Sequence, residues 1–231
     1  MKTRLIILLT VMNVAAFAQQ AHWEGSVQMP NRELRMTVDL AKNSKGAWIG
    51  SISLPDGGLI DVPLGGISVA ANEVSFVIAG LPKSPSFEGK VSEDGKILAG
   101  TATSDKGGAP FELKKTGEAD VKVPPPSTSL SKEWEGSWEG ILDAPDGRKL
   151  RAVIKLARAS DGTATGSLVS LDEGSQEFPM NTITQKDKQL QFEIRVIRAK
   201  YTGLLNDSGA EISGDYVVQG LKLPLVLKRK P

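Results

Sequence analysis

The sequence predicts an all-β protein made of two tandem antiparallel β-barrels of the up-and-down type, each with about eight short strands. Three observations lead to this fold class: apolar and polar residues alternate, turn residues recur about every 8–12 residues, and the chain repeats itself. The 231 residues include 24 glycines and 13 prolines, which suit short strands and turns better than long helices. Two β-sandwiches are the alternative, because they also hide strand edges.

The first segment, residues 1–18, has the features of an export signal. Lys2 and Arg4 precede an apolar stretch, and Ala16-Phe17-Ala18 fits a small-residue cleavage site. The stretch is shorter than the about 20 residues of a membrane-spanning helix. We therefore expect an exported protein, periplasmic or secreted in a bacterium, with no integral membrane segment after cleavage. The sequence has no cysteine, so packing alone must stabilise it.

An internal repeat organises the remaining chain. The motif Trp23-Glu24-Gly25 recurs as Trp138-Glu139-Gly140. The match continues in order along both copies, and its further markers are Pro63 with Pro179 and Gly100 with Gly214. Such an ordered series predicts two copies of one module, which we place at residues 19–115 and 133–231.

Alternation locates strands within each copy. Apolar and polar residues alternate over 34–40 and again over 150–156, and the same pattern joins 74–78 to 190–194. A period of two places one face of each strand in a core and the other in water. Asp-Gly pairs between these segments supply the hairpin turns.

Between the copies, residues 116–132 are rich in proline, serine and threonine, with three prolines in a row at 124–126. This composition predicts an exposed, semi-rigid linker. The formal net charge of the whole chain is only +1, which argues against a nucleic-acid partner, because such proteins normally carry a basic surface.

The second copy resembles a small β module that precedes the α/β-hydrolase domain in secreted bacterial serine hydrolases. The resemblance rests on the W-x-G start at Trp138-Glu139-Gly140 and on residues 171–179, 201–203 and 223–229. It implies a β scaffold. The catalytic machinery of that family lies in the hydrolase domain, outside this sequence, so no catalytic residue is carried over. Calycins begin with G-x-W instead, so the barrels are calycin-like in architecture only.

No catalytic arrangement is visible in the sequence. A hydrolase of that family needs G-x-S-x-G together with an acid and a histidine, and no G-x-S-x-G occurs. The one histidine, His22, lies near the predicted cleavage site, in a frayed terminus or a first strand. Asp172, Glu173 and Glu177 fit an exposed loop better than a catalytic carboxylate pair. We expect no metal site, no cofactor and no enzymatic activity.

The four tryptophans divide into two pairs. Trp23 and Trp138 open the two copies on the inward face of a strand, so we expect each to fill one end of a barrel. Trp48 and Trp134 have no aromatic counterpart in the other copy, and Ala164 occupies the place of Trp48. We therefore take Trp48 and Trp134 as candidate contacts for a ligand or partner.

Three functions stay open. The first is an exported non-catalytic binding or interaction protein, whose partner could be a protein, a glycan or a small apolar ligand. The second is a carrier that holds a small apolar ligand in a calycin-like barrel. The third is an accessory protein to, or a remnant of, a secreted hydrolase. A cavity larger than about 300 Å³ favours the carrier, whereas an exposed apolar patch favours a protein partner.

Overall fold

A computed structural model describes residues 19–230, so the predicted export signal at 1–18 lies outside the described residues. Within this range the protein is all-β, with seventeen strands and three 3₁₀ turns, at Pro55–Gly57, Lys132–Trp134 and Arg195–Ile197. None of the helical segments described is long and apolar enough to cross a membrane.

The strands of the first half are β1 (Ala21–Met29), β2 (Arg32–Lys42), β3 (Trp48–Leu54), β4 (Leu59–Ala70), β5 (Glu73–Ile78), β6 (Ser86–Val91), β7 (Ile97–Ser104) and β8 (Gly107–Gly117). Those of the second half are β9 (Gly136–Asp143), β10 (Lys149–Arg158), β11 (Ala164–Ser170), β12 (Gln176–Pro179), β13 (Thr182–Lys186), β14 (Gln189–Ile194), β15 (Ala199–Leu205), β16 (Glu211–Val218) and β17 (Leu221–Arg229).

The first half is a closed antiparallel barrel. Each strand pairs with its neighbour in sequence, and β8 returns to β1, so that Trp23 pairs with both Val38 and Lys115. The inward side chains of these strands fill the barrel, and Trp23, Met36 and Leu113 among them are completely buried. The predicted all-β fold class is confirmed, and in this half so is a barrel of eight strands.

The second half has nine strands rather than eight, because its fourth strand is divided into β12 and β13. These two short strands form the ends of a curled sheet that follows the same neighbour order as the first barrel. At the division, the N–H of Met180 donates to the carbonyl of Gly166 on β11, at 2.9 Å. The next N–H, of Asn181, donates to Glu193 on β14, at 2.8 Å. Hydrogen bonds across the break thus bring the two ends of the sheet together, but β12 and β13 do not pair. The second half is therefore a curled sheet and not the closed eight-stranded barrel that the sequence predicted, and we call this curled sheet the second barrel.

The segment 116–132, expected as an exposed linker, is largely exposed, but its end around Thr128 is bonded to the sheet of the second half. The N–H of Thr128 donates to the carbonyl of Ile183 on β13 (2.9 Å), and its carbonyl accepts from the N–H of Ala164 on β11 (2.8 Å). Leu130 follows and is only 2% exposed. The segment therefore fills the gap that the divided fourth strand leaves between β11 and β13. Its proline-rich composition concealed this role, because the contacts come from backbone groups and one leucine.

The beginning of the same segment is fixed to the first barrel. The N–H of Asp120 donates to Asp39 Oδ1 at 2.7 Å, and the N–H of Lys122 donates to Ser51 Oγ at 3.1 Å. Arg195 of the second half donates from its guanidinium to the carbonyl of Lys122 at 2.6 Å. The segment therefore binds both halves.

The glycines that mark the repeat are positions of close strand approach. A Cβ added at Gly100 or Gly214 would lie 2.0 or 2.1 Å from a carbonyl oxygen of the neighbouring strand. The same crowding occurs at Gly25 and Gly140, at 2.0 and 2.5 Å. The marker prolines also keep an equal register, since Pro63 pairs with Ser51 and Pro179 pairs with Ser167.

An ion pair between strands is repeated as well. The backbone N–H and the guanidinium of Arg151 both donate to Asp172, at 2.7 Å each. Arg35 makes the same two contacts to Asp56 in the first barrel, at 3.1 and 2.9 Å. These equivalent ion pairs show that the repeat in the sequence is also a repeat in the structure.

Candidate functional site

An apolar cup opens at one end of the second barrel. The alternation along β9, β10, β11, β12 and β17 turns one set of side chains inward, and these form the walls. They are Leu142, Leu150, Ala152, Leu168, Phe178 and Leu223. The cavity has a volume of about 320 Å³, at the lower end of the range for small-molecule pockets, about 300–1,000 Å³.

The rim of the cup is built from loops. Ala144 and Pro145 come from the turn between β9 and β10, and Glu173 comes from the turn between β11 and β12. Ile197 belongs to the 3₁₀ turn after β14, and Gln219 lies in the turn between β16 and β17. Loops on a rigid barrel can change without loss of the fold, which makes such a rim a suitable place for binding.

Five polar residues line the otherwise apolar cup, and they are Arg151, Ser170, Glu173, Tyr216 and Gln219. Tyr216 on β16 is 5% exposed, and burial, with a contribution from the charge of Glu173, raises the pKa of its phenol to about 12. Its hydroxyl has no hydrogen-bond partner among residues 19–230, whereas the buried hydroxyl of Tyr201 lies 3.2 Å from the carbonyl of Leu225. Ser170 Oγ donates to Glu173 Oε2 at 3.0 Å. The cup therefore offers the Tyr216 hydroxyl to a ligand.

The first barrel has a different interior at the equivalent positions. Leu54 stands where Ser170 stands in the second copy, and Met36 stands where the smaller Ala152 stands. Both side chains are buried in the first barrel. The smaller and more polar residues therefore distinguish the second copy, where the cup is found.

Sequence reasoning did not identify Tyr216 or Ser170 as site residues. A signal for them was present, because both lie on the inward face of alternating strands where the other copy carries apolar Ala102 and Leu54. Alignment of the two copies, followed by a search for polar residues at inward positions, would have found both.

Trp134, predicted as a candidate surface contact, is completely buried. It lies in the 3₁₀ turn before β9, with its ring centroid 6.4 Å from that of Trp138. This placement corrects the expectation of an exposed stacking surface, because the turn folds the indole under the barrel. No ligand in solution can reach Trp134 in this arrangement.

Trp48 lies at the start of β3 and is half-buried. Lys42 Nζ sits 5.3 Å from the centroid of its ring, in cation–π geometry. The indole packs against the core of the first barrel and keeps part of its surface in solvent. A role for Trp48 in binding stays a prediction.

Trp23 and Trp138 occupy equivalent buried positions in the two copies. Trp138 lies near the start of β9, at the end of that strand opposite the cup. Each indole N–H donates to the carbonyl of the residue four positions earlier, Gln19 at 3.4 Å and Trp134 at 3.0 Å. Arg229 covers the Trp138 ring, with its guanidinium carbon 4.2 Å from the ring centroid.

His22 lies within β1 rather than in a frayed terminus. Its Nδ1 is 2.9 Å from Asp39 Oδ1, and its Nε2 is 3.0 Å from Glu24 Oε1. Burial lowers the pKa of His22, but the hydrogen bonds and charges of Asp39 and Glu24 outweigh burial and raise the pKa above 6.5. Carboxylates thus occupy both ring nitrogens of this histidine.

The three acidic residues considered in the sequence are not a carboxylate pair. Asp172 is held by Arg151, at 2.7 Å, and Glu177 by Lys155, at 3.1 Å. Their partners lower the pKa of both carboxyl groups, the largest cause being a side-chain hydrogen bond, from Arg151 to Asp172 and from Ser167 to Glu177. In the described part of the chain, no three acidic or histidine side chains converge as metal ligands do.

Comparisons with known proteins add no family. No sequence family matches this chain, and no curated protein matches it. The resemblance to the hydrolase-associated module therefore stays a prediction. Two solved structures have partial similarity. One is a proposed outer membrane protein from Bacteroides fragilis, at 13% identity and a TM-score of 0.29, with 92% of this chain and 99% of that chain covered. The other is a protein of unknown function from the DUF3598 family of Nostoc punctiforme, at 13% identity and a TM-score of 0.30, with 93% and 97% covered.

Proposed function

We propose that this is an exported, non-catalytic binding protein that takes up a small apolar or amphipathic molecule in the cup of its second barrel. The observation that carries the proposal is the apolar cavity of about 320 Å³ with the unpaired hydroxyl of Tyr216 on its wall. Apolar walls with few polar groups are the usual composition of small-molecule sites. Export rests on the signal features of residues 1–18.

The arrangement of the ionisable groups supports a function without catalysis. His22 lies on the first barrel, where its ring contacts two carboxylates. Ser170, the serine that lines the cup, donates to Glu173, and among residues 19–230 it makes no hydrogen bond to a histidine or lysine that could take its proton. A serine in this setting suits the orientation of a ligand better than attack on it.

The experiment compares ligand uptake by the wild type and by a variant with a filled cup. Ala152→Met introduces the side chain that the first barrel carries at the equivalent position, Met36. Ala99→Met is the matched control, because Ala99 lies on the opposite face of β7 from the buried Leu98. Binding of octanol is measured by isothermal titration calorimetry, with circular dichroism as a check on folding.

We expect octanol to bind the wild type and Ala99→Met alike, and to bind Ala152→Met at least about tenfold more weakly, because the added side chain occupies the cavity. Equal binding by all three folded proteins would place the ligand elsewhere and refute the proposal. A complete lack of octanol binding by the wild type would also refute it.

A second candidate function, docking of a protein partner, is favoured by a groove on the outer face of β9 and β17. Ile141 and Val226 are 51% and 44% exposed there, beside Pro224. Such a partner could be the secreted hydrolase that the resemblance implies. Ile141→Lys should abolish capture of such a partner, while octanol uptake by the cup stays unchanged.

A further inference from the structure

We propose that the cup selects amphiphiles with a cationic head group over those with an anionic one. This inference rests on the proposed function and specifies its ligand class. The walls are apolar, so the hydrocarbon part of a ligand lies in the barrel. The head group must then lie at the rim, where loops and strand ends present their charged side chains. The charges of that rim decide which head group is favoured.

Four cations near the rim are each paired with a carboxylate. Arg151 lies 2.7 Å from Asp172, as described above. Arg148 lies 2.7 Å from Asp146, and both belong to the turn that contributes Pro145 to the cup.

Two lysines near the rim are paired with carboxylates as well. Lys149 lies 2.8 Å from Asp143, and Lys222 on β17 lies 2.9 Å from Asp215. Arg198 follows Ile197 but lines a separate groove that also contains Asp61 and Glu193. A cation that already binds a carboxylate has little attraction left for an anionic head group.

Glu173, unlike these paired charges, is a carboxylate without a cation bound to it in the described part of the chain. Within residues 19–230 it has no ion-pair partner; its Oε2 accepts only the hydrogen bond of Ser170, and Arg148 contributes a more distant positive charge. Its carboxylate lines the cup, and its charge reaches the buried phenol of Tyr216. The rim therefore presents one unpaired negative charge beside an apolar cavity, which attracts a cationic head group and repels an anionic one.

The test uses three probes with the same alkyl chain and different heads: octyltrimethylammonium, octanol and octanoate. Calorimetric titrations at low ionic strength compare the wild type with Glu173→Gln, which keeps the shape of the side chain and removes its charge. Glu88→Gln on the outer face of the first barrel is the control, because Glu88 is an exposed carboxylate on β6 and does not line the cup.

We expect the wild type and Glu88→Gln to bind octyltrimethylammonium about three- to tenfold more tightly than octanoate, with a smaller preference at high salt. Glu173→Gln should bind octyltrimethylammonium and octanoate equally, whereas Glu88→Gln should bind octanol as the wild type does. Tight binding of octanoate, or a cation preference that survives in Glu173→Gln, would overturn this inference while the proposed function stands. If none of the three probes binds the wild type, the proposed function fails as well.

Discussion

Replacement of Trp138 by phenylalanine should destabilise the protein more than the same replacement of Trp23. The two indoles occupy equivalent buried places in the repeat, so both variants lose the same volume from a core. The cavity that each change leaves therefore contributes nearly equally. The two sites differ in the hydrogen bond that the indole N–H donates. A comparison of the two variants therefore isolates the contribution of this hydrogen bond to stability.

The structure sets the size of this difference. The Trp138 N–H lies 3.0 Å from the carbonyl of Trp134, at the usual hydrogen-bond length, whereas the Trp23 N–H lies 3.4 Å from the carbonyl of Gln19. Loss of a buried bond that leaves its acceptor unsatisfied costs about 1–3 kcal/mol. Arg229 also lies over the Trp138 ring, and phenylalanine is a weaker cation–π partner than tryptophan. We expect Trp138→Phe to lose about 1–2 kcal/mol more than Trp23→Phe.

Urea unfolding followed by far-ultraviolet circular dichroism measures both losses without use of tryptophan fluorescence. Wild type and both variants are compared by their midpoints at equal slope, since equal slopes mean that the denatured states expose similar surface. Losses that agree within about 0.5 kcal/mol would refute the reasoning, because the shorter bond and the guanidinium would then contribute nothing. A larger loss for Trp23→Phe would refute it more strongly.

Three further predictions follow from other contacts. Gly214→Ala should destabilise the second barrel by more than about 2 kcal/mol in urea unfolding, because its Cβ would lie 2.1 Å from a backbone carbonyl oxygen; a neutral effect would contradict this packing. Leu130→Ala should cost about 2–5 kcal/mol, whereas Val123→Ala, at 59% exposure in the same segment, should change little; equal effects would mean that the segment does not close the barrel. The pKa of His22 is raised in the folded state, so its contribution to stability is complete below about pH 6.5 and is lost as the pH rises through the folded-state value. Unfolding free energies measured across this range should fall more for the wild type than for His22→Gln, and parallel curves would contradict the prediction.

Much of the fold could be predicted because its signals are local. The alternation over 34–40 and 150–156 places one face of β2 and β10 in the core, and the structure has that face buried. The division of the fourth strand was not predicted, because the equivalent Pro63 lies within an unbroken β4 and the partners of Met180 and Asn181 lie on distant strands. The pairing of Thr128 with the second barrel was not predicted either, because its partners, Ile183 and Ala164, also lie far away in the sequence.

The site was less accessible to sequence reasoning than the fold. Tryptophan attracts attention by its size, but a large apolar side chain is as suitable for a core as for a ligand, and the core is where Trp134 lies. Tyr216 and Ser170 each occupy a single inward position in an ordinary alternating strand. Their surroundings become visible only when β10, β11 and β16 are brought around the same cavity, which depends on the closure of the barrel.

The segment around Thr128 has a consequence for biosynthesis. The ribosome makes this segment before it makes any strand of the second barrel. The carbonyl of Ile183, which accepts the hydrogen bond of the Thr128 N–H, is made more than fifty residues later. During that interval the first barrel can close and bind Asp120 and Lys122, which tethers the segment at its upstream end. The prolines at 124–126 have no N–H to donate, so they also discourage premature pairing with the barrel already formed. A nascent chain arrested before residue 183 should therefore carry a folded first barrel and a protease-sensitive segment beside it.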